Sequence, residues 1–244
     1  MKKIIVANWK MNLSYQASVK LAKSYALSAK LKQTGREVIV CPDYLSLPVI
    51  AGIIKGTKLS LGAQDCSVAL SGAWTGEVSA LNLKSLGVKY VIIGHSERRQ
   101  GLREDSNLIT AKIKAATEAG LKVILCIGET AQIKAKGQTR RYLSQELGRN
   151  LSNLLDNSKL LIAYEPVWAI STAPGAKALD TSEVNKIHNY IGSVAEKIVG
   201  RPVPVLYGGS VSSTNAQSFL SQNNVSGLLV GSASLRLKDF EAIV

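Results

Sequence analysis

Eight short apolar runs recur along the chain, and each is followed by a helical or connecting segment. The runs span residues 4–7, 38–41, 59–62, 90–93, 123–127, 160–164, 205–207 and 228–230. Helical periodicity appears between them, for example at residues 17–31, 111–119 and 182–199. Strands that alternate with helices form right-handed βαβ units, and eight such units predict a closed (β/α)8 barrel of the α/β class. An open doubly wound sheet is the alternative, but no Gly-x-Gly-x-x-Gly sequence follows the first run.

Length and composition are consistent with one barrel domain over residues 1–244. Apolar residues make up 46% of the chain and charged residues 19%, which predicts a packed core rather than disorder. No apolar run approaches the ~20 residues that a membrane span requires, so we expect a soluble, cytoplasmic protein without a membrane partner. Three isolated cysteines, Cys41, Cys66 and Cys126, predict reduced and buried thiols. With two histidines in the chain, a histidine-built metal site is not expected.

The formal net charge of +13 indicates an anionic partner or a basic surface. The basic residues are spread along the predicted outer helices, and no cluster interleaves them with aromatic residues. We therefore expect no nucleic-acid partner, and attraction of a small anionic substrate or simple solvation is the preferred interpretation.

Glu165 is the first candidate catalytic residue, since it stands where the sixth predicted strand ends. The next residue, Pro166, biases Glu165 toward an extended backbone and so directs the carboxylate. Apolar neighbours such as Trp168 and Ile170 predict a raised pKa for Glu165, which suits a general base. A helix cap or a surface ion pair is the alternative.

Other polar residues follow the first and fourth predicted strands. Lys10 is close to a buried strand, where it could supply a fixed cation for a phosphate or an oxyanion, or extend to solvent. His95 directly precedes a predicted helix, whose positive end would lower its pKa and keep the ring neutral. A lone histidine is more often structural, and both interpretations remain open at this point.

Glycine-bearing segments, YGGSV and LVGSA, follow the seventh and eighth predicted strands. Glycines let the backbone approach an anion closely, and free N–H groups at a helix start can then bind it. The two segments together predict a phosphate site, because barrels of this class often bind phosphate after these strands.

The ordered segments NWKMN, GHSERR, CIGET, AYEPVWAI and YGGSV resemble the triosephosphate isomerase family over nearly the whole chain. The resemblance implies a TIM barrel that interconverts dihydroxyacetone phosphate and D-glyceraldehyde 3-phosphate through an enediolate. It implies no metal and no organic cofactor. It also implies a homodimer whose contact includes the loop from Gln64 to Glu77, with Trp74 near the loop tip.

The resemblance further implies roles for individual residues. Glu165 would be the base, with His95 neutral, an arrangement known for this family. Catalytic positions would be Asn8, Lys10, His95, Glu97 and Glu165, with Glu97 an auxiliary that pairs with a neighbouring cation. Substrate would be bound by Asn8, Lys10, Ser171, Ser210, Gly231 and Ser232. Glu129 would support Trp168, in the first hinge of a mobile lid.

Several positions depart from the family pattern. Ser171 and Ala173 replace lid glycines, Pro174-Gly175 and a short insertion alter the second hinge, and Ser232 replaces a glycine. Asp65 stands where an amide is usual, and the resemblance places it near the subunit interface. If it is buried without a cation, its ionisation opposes folding, and Asp65→Asn should stabilise the protein at neutral pH.

Two other functions compete with this interpretation. An aldolase-like barrel enzyme would require a Schiff-base lysine at a strand end, and none occurs in strands six or seven. A basic nucleic-acid-binding or scaffold protein is the second alternative.

Overall fold

Eight parallel strands close into a barrel in chain order, from β1 to β8 and back to β1. The computed structural model describes residues 2–152, 160–170 and 179–244. The strands are β1 Ile4–Asn8, β2 Glu37–Cys41, β3 Leu59–Ala63, β4 Tyr90–Ile93, β5 Lys122–Ile127, β6 Leu160–Tyr164, β7 Val205–Tyr207 and β8 Gly227–Val230. The predicted (β/α)8 barrel is confirmed, and the open doubly wound sheet is excluded.

Helices between the strands cover the outside of the barrel. They are α1 Tyr15–Leu27, α2 Ala29–Gln33, α3 Leu47–Ile54, α4 Ala80–Ser85, α5 Ser96–Gly101, α6 Ser106–Glu118, α7 Ala131–Ala135, α8 Thr139–Leu151, α9 Thr181–Val199, α10 Ala216–Leu220 and α11 Leu237–Ile243. Short 3-10 helices occupy Val167–Ala169 and Ser232–Leu235. No helix in the described ranges is long and apolar enough to cross a membrane.

The helix predicted at residues 17–31 is in fact two helices that meet at Ser28. The Ser28 hydroxyl accepts a hydrogen bond from the Leu31 N–H at 3.1 Å and thereby caps α2. The same hydroxyl donates to Glu241 at 2.6 Å. A serine that bonds to nearby backbone competes with helix continuation, which explains the break.

The core has two layers, one inside the barrel and one between strands and helices. Alternate strand residues fill the interior, and they include Val6, Ile39, Ile92 and Leu206. The three cysteines are free and buried, as predicted. Because all strands run in the same sense, their C-terminal ends meet at one rim, which we call the barrel mouth.

Asp65 is buried and paired with cations, so the condition under which its ionisation would oppose folding is met only in part. Its Oδ2 lies 2.6 Å from Nζ of Lys112 and 2.7 Å from Nη2 of Arg98. Glu104 contacts the same two cations through Oε1. Burial raises the pKa of Asp65, and the cations offset this only in part, so its pKa stays above the ordinary value. The cluster ties the β3–α4 loop to α5 and α6.

The Asp65→Asn substitution tests whether burial or ion pairing dominates the effect of Asp65 on the free energy of unfolding. Below about pH 3.9 the carboxyl is neutral in both states and does not affect the free energy of unfolding. As the pH rises through the raised folded-state pKa, the unfolded chain ionises first, and the wild type loses stability. We expect the variant to gain stability relative to the wild type as the pH rises above the unfolded-state pKa of about 3.9, and the gain should be complete above the raised folded-state pKa.

Urea unfolding midpoints at matched protein concentration measure this difference. A variant that instead loses stability relative to the wild type over the same pH range would show that the ion pairs to Lys112 and Arg98 dominate.

Candidate active site

Glu165 directly follows β6, and its backbone is held by the neighbouring strand ends. The Glu165 N–H donates to the Ile127 carbonyl at 2.8 Å. Gly128 follows β5, and a Cβ atom at this position would collide with the Glu165 carbonyl. A Cβ at Gly208, after β7, would lie 2.9 Å from Cγ of Glu165. Glycine at positions 128 and 208 therefore lets the backbone after β5 and after β7 lie closer to Glu165 than a residue with a Cβ atom would allow.

The Glu165 side chain is only 2% exposed, and its carboxylate contacts two groups from the β4–α5 segment. Oε2 accepts a hydrogen bond from the Ser96 N–H at 3.1 Å. Oε1 lies 3.1 Å from Nε2 of His95. The Nδ1 atom of His95 accepts from the Glu97 N–H at 3.3 Å, so Nδ1 carries no proton. The proton of the neutral ring therefore lies on Nε2 and faces the carboxylate.

The pKa values of this pair differ in direction from the expectations drawn from sequence. Burial raises the pKa of Glu165, but His95, the Ser96 amide and Lys10 outweigh it and hold that pKa below its ordinary value. Burial lowers the pKa of His95, but contact with the Glu165 carboxylate more than offsets this, so the pKa of His95 is raised. The reason is the direct contact between the two side chains, which a local sequence pattern does not reveal.

Lys10 follows β1 with a left-handed backbone, φ 52°, which non-glycine residues seldom adopt. Its N–H donates to Oδ1 of Asn8 at 3.1 Å, and its carbonyl accepts from Nε2 of Gln64 at 2.9 Å. The Lys10 ammonium lies 2.6 Å from Oε1 of Glu97, the pairing predicted for Glu97. Gln64 was not predicted as a site residue, and only its position directly after β3 could have suggested it.

Most of the predicted site residues line one small cavity at the barrel mouth. The lining consists of Asn8, Lys10, His95, Glu165, Ile170, Gly208, Gly209, Leu229 and Gly231. Glu97 is not in this lining, and it acts on the site through its contact with Lys10. A carboxylate, an imidazole, an ammonium group and two apolar side chains thus surround one space.

The residues predicted to bind phosphate do not all line this cavity. Gly231 lines the cavity, and Ser232, which is exposed, begins a 3-10 helix. The N–H of Ser210 donates to the Ala169 carbonyl at 2.9 Å, and the Ser210 hydroxyl donates to the same oxygen at 3.0 Å. Ser210 must release Ala169 before its N–H can bind an anion. Ser171 and the altered lid positions lie outside the described residues.

Trp168 is held by the contact that was predicted for Glu129. The indole Nε1–H donates to Oε1 of Glu129 at 2.9 Å, and the hydroxyl of Tyr164 donates to the same carboxylate. Lys134 was not predicted, yet its Nζ lies 3.7 Å from the centre of the Trp168 ring and 3.0 Å from Oε1 of Glu183. This cation–π contact is a second interaction that holds the Trp168 side chain in place.

A family model described as triosephosphate isomerase matches residues 3–244. The chain belongs to the triosephosphate isomerase family. The triosephosphate isomerase of Clostridium tetani is 42% identical over 249 residues, which cover 100% of this chain and 96% of the relative. The enzyme of Dehalococcoides mccartyi is 42% identical over 246 residues, with 100% and 96% covered.

The crystal structure of triosephosphate isomerase from Bartonella henselae is also similar to this fold. It superimposes with a TM-score of 0.88 at 33% identity and covers 100% of this chain and 98% of that chain. Family membership makes this protein an isomerase and removes the aldolase-like barrel enzyme from consideration.

The Gly128→Ala substitution tests the close approach of β5 to Glu165. The added methyl group must displace the Glu165 backbone, and a misplacement of about 1 Å can reduce kcat roughly 10²-fold. Gly148→Ala in α8 is the matched control, since a Cβ there meets no atom within 4 Å. Isomerase kinetics and circular dichroism of both variants provide the comparison. Wild-type kcat in Gly128→Ala would contradict the proposed constraint.

Proposed function

We propose that Glu165, His95 and Lys10 carry out the reaction of this family at the barrel mouth. The chain interconverts dihydroxyacetone phosphate and D-glyceraldehyde 3-phosphate by proton transfer through an enediolate. The observation that supports this assignment is the 3.1 Å contact between the Glu165 carboxylate and Nε2 of His95, in a cavity that Lys10 also lines.

Glu165 acts as the base. In the free enzyme its lowered pKa keeps it ionised at neutral pH. When the substrate separates Glu165 from His95, the largest cause of that lowering is removed, and burial then raises the pKa of Glu165 and makes it a stronger base. The carboxylate takes the proton from the carbon next to the substrate carbonyl, and the electrons of that C–H bond form the carbon–carbon double bond. The carbonyl oxygen becomes an enediolate oxygen, and the proton returns to the neighbouring carbon.

His95 acts as a neutral donor to the substrate oxygens. Its Nε2–H is already directed into the site, because Nδ1 is occupied by the Glu97 N–H. When the substrate separates His95 from Glu165, the cause of the raised His95 pKa is removed. Burial and Lys10 then lower that pKa and keep the ring neutral, which allows it to pass a proton between the two oxygens.

Lys10 supplies positive charge for the enediolate and the phosphate. Its unusual backbone, held by Asn8 and Gln64, keeps the ammonium at the cavity instead of in solvent. Asn8 lines the same cavity and contacts substrate in this proposal. The steps move protons only, so they require no redox cofactor.

The phosphate is bound by the N–H groups of Ser210, Gly231 and Ser232, with Ser171 from the lid. Because the Ser210 N–H is bonded to Ala169, phosphate binding competes with that bond. Ala169 belongs to the 3-10 helix Val167–Ala169 after Pro166, so phosphate binding is coupled to movement of the first hinge.

Replacing Glu165 by Gln tests the base directly. The amide retains the shape of the side chain but cannot accept the proton, so we expect kcat to fall by at least ~10²–10⁴-fold. Glu97→Gln is the matched control, since it weakens one support of Lys10 and leaves the base intact. Its kcat should fall less than that of Glu165→Gln. Near-native activity of purified Glu165→Gln would rule out the assignment.

The proposal includes a cytoplasmic homodimer. Large apolar side chains are exposed after four adjacent strands, namely Met11 at 94%, Leu45 at 82%, Trp74 at 53% and Leu102 at 62%. Such a group of exposed apolar residues at one end of a barrel is typical of a protein interface. A second copy of the chain, contacted through the Gln64 to Glu77 loop, would cover it.

The double variant Trp74→Glu and Leu102→Glu tests the interface. If both residues lie in the interface, each charge must be buried there, and the dimer dissociation constant should rise at least about 30-fold. Leu27→Glu is the control, since Leu27 is exposed at the opposite rim. Sedimentation velocity over a range of concentrations measures the change. An unchanged dissociation constant in the double variant would exclude this surface.

A further inference from the structure

The excess positive charge of this chain is concentrated at one end of the barrel. That end is the rim where the strands begin, opposite to the barrel mouth. From the N-terminus to β5, the last helical turns and first strand residues of this rim contain ten basic residues and two acidic ones, Glu37 and Glu118. The basic residues, which we call the basic rim, are Lys2, Lys3, Lys30, Lys32, Arg36, Lys55, Lys58, Lys84, Lys89 and Lys122.

The barrel mouth over the same strands has a different ratio of basic to acidic residues. The turns after β1 to β4 carry four basic residues, Lys10, Arg98, Arg99 and Arg103, and six acidic ones. Lys10, Arg98 and Arg99 each contact a carboxylate. Basic residues do lie along the outer helices, as expected, for example Lys20, Lys114 and Arg140. The sequence did not show that turns distant in the chain bring ten basic residues together at one rim.

Cations of the basic rim are exposed and not neutralised by acids. Among the described residues, no ion pair involves any of them, and eight of the ten are exposed. Lys3 and Arg36 are partly buried and donate to backbone carbonyls of Val225 and Ile243. Burial and the neighbouring Arg36 lower the pKa of Lys3. Glu37 accepts a hydrogen bond from the hydroxyl of Tyr90 at 2.6 Å.

The spacing of the cations in the basic rim suits a polymer of phosphate groups. One cation stands at the start of each of five adjacent strands, at Lys3, Arg36, Lys58, Lys89 and Lys122. Neighbouring strands are about 4.8 Å apart, so this row follows the curve of the closed barrel over a path of roughly 20 Å. A nucleic-acid duplex presents one negative charge per ~1.7 Å of its axis, or about a dozen over that length.

We infer that the basic rim binds the phosphate backbone of double-stranded nucleic acid without reading its sequence. Lysines provide point charges for phosphates and lack the paired donors with which arginine reads a guanine. Tyr90, the first residue of β4, is buried and its hydroxyl donates to Glu37, so it cannot provide the stacking surface that single strands require.

A duplex fits this surface better than a bilayer does. The residues between the cations are mostly small or polar, such as Thr34, Gly35, Gly56 and Thr57. Between the N-terminus and β5, the described residues of this rim expose two large apolar side chains, Leu27 and Leu86, which give a small area for insertion between lipid headgroups. The barrel mouth lies at the other end of the molecule, so a bound duplex leaves the isomerase site and the proposed dimer surface accessible.

The test uses the full-length protein and a short fluorescein-labelled DNA duplex, with binding followed by fluorescence anisotropy. We expect a dissociation constant of ~10⁻⁴–10⁻⁶ M at physiological salt. If about five phosphates are contacted, the logarithm of the binding constant should fall with the logarithm of salt concentration with a slope of about −4.5. No measurable binding at low salt would overturn the proposal.

A rim variant with Lys55→Gln, Lys58→Gln and Lys89→Gln should bind at least about tenfold more weakly, and its salt slope should be shallower by about 2.7. The matched control, Lys20→Gln, Lys23→Gln and Lys114→Gln, removes the same charge from helices α1 and α6. It should bind almost as the wild type does. Equal losses in the two variants would show that total charge matters and would overturn the assignment to the rim.

Competition experiments distinguish the possible sources of the phosphate polymer. Inorganic polyphosphate and vesicles containing phosphatidylserine are compared with the duplex at equal charge concentration. Preference for the duplex supports the proposal, and preference for either competitor overturns it. Isomerase activity of both triple variants serves as the check on folding, and it should equal that of the wild type, since none of these lysines lines the barrel mouth cavity.

Discussion

Glu165 is buried and yet ionised because hydrogen-bond donors and cations from other parts of the chain surround its carboxylate. The Ser96 N–H and Nε2 of His95 contact the two oxygens, and Lys10 adds positive charge nearby. A carboxylate in an apolar environment without them would take up a proton. These donors follow different strands, and they meet only because the parallel barrel closes.

The backbone around the carboxylate is as constrained as the side chains. Gly128 and Gly208 permit an approach that any larger residue would prevent. Lys10 adopts a left-handed conformation that is unfavourable for lysine, and Asn8 and Gln64 compensate by hydrogen bonds to both of its backbone groups. The site is therefore positioned mainly through main-chain contacts between successive strand ends.

Cationic side chains are paired differently at the two ends of the barrel. Near the mouth, several cations are paired with buried or half-buried acids, as in the cluster of Asp65, Arg98, Glu104 and Lys112. Their fields are largely local, because each cation has a carboxylate within hydrogen-bond distance. The basic rim lacks such partners in the described residues. Over β1 to β5, the unpaired positive charge of the described residues therefore lies mainly at the rim opposite the mouth.

The sequence by itself determined the eight strands, the barrel class, the family and most residues of the cavity, because strand ends carry recognisable segments and parallel strands must deliver them to one rim. It did not reveal Gln64, Lys134 or the cations beside Asp65. Those contacts join segments that are far apart in the chain, and local patterns do not encode them. The pKa directions of Glu165 and His95 were likewise decided by tertiary structure, since each depends on the 3.1 Å contact with the other. The basic rim followed from the same cause, because only the closed barrel brings its turns to one end.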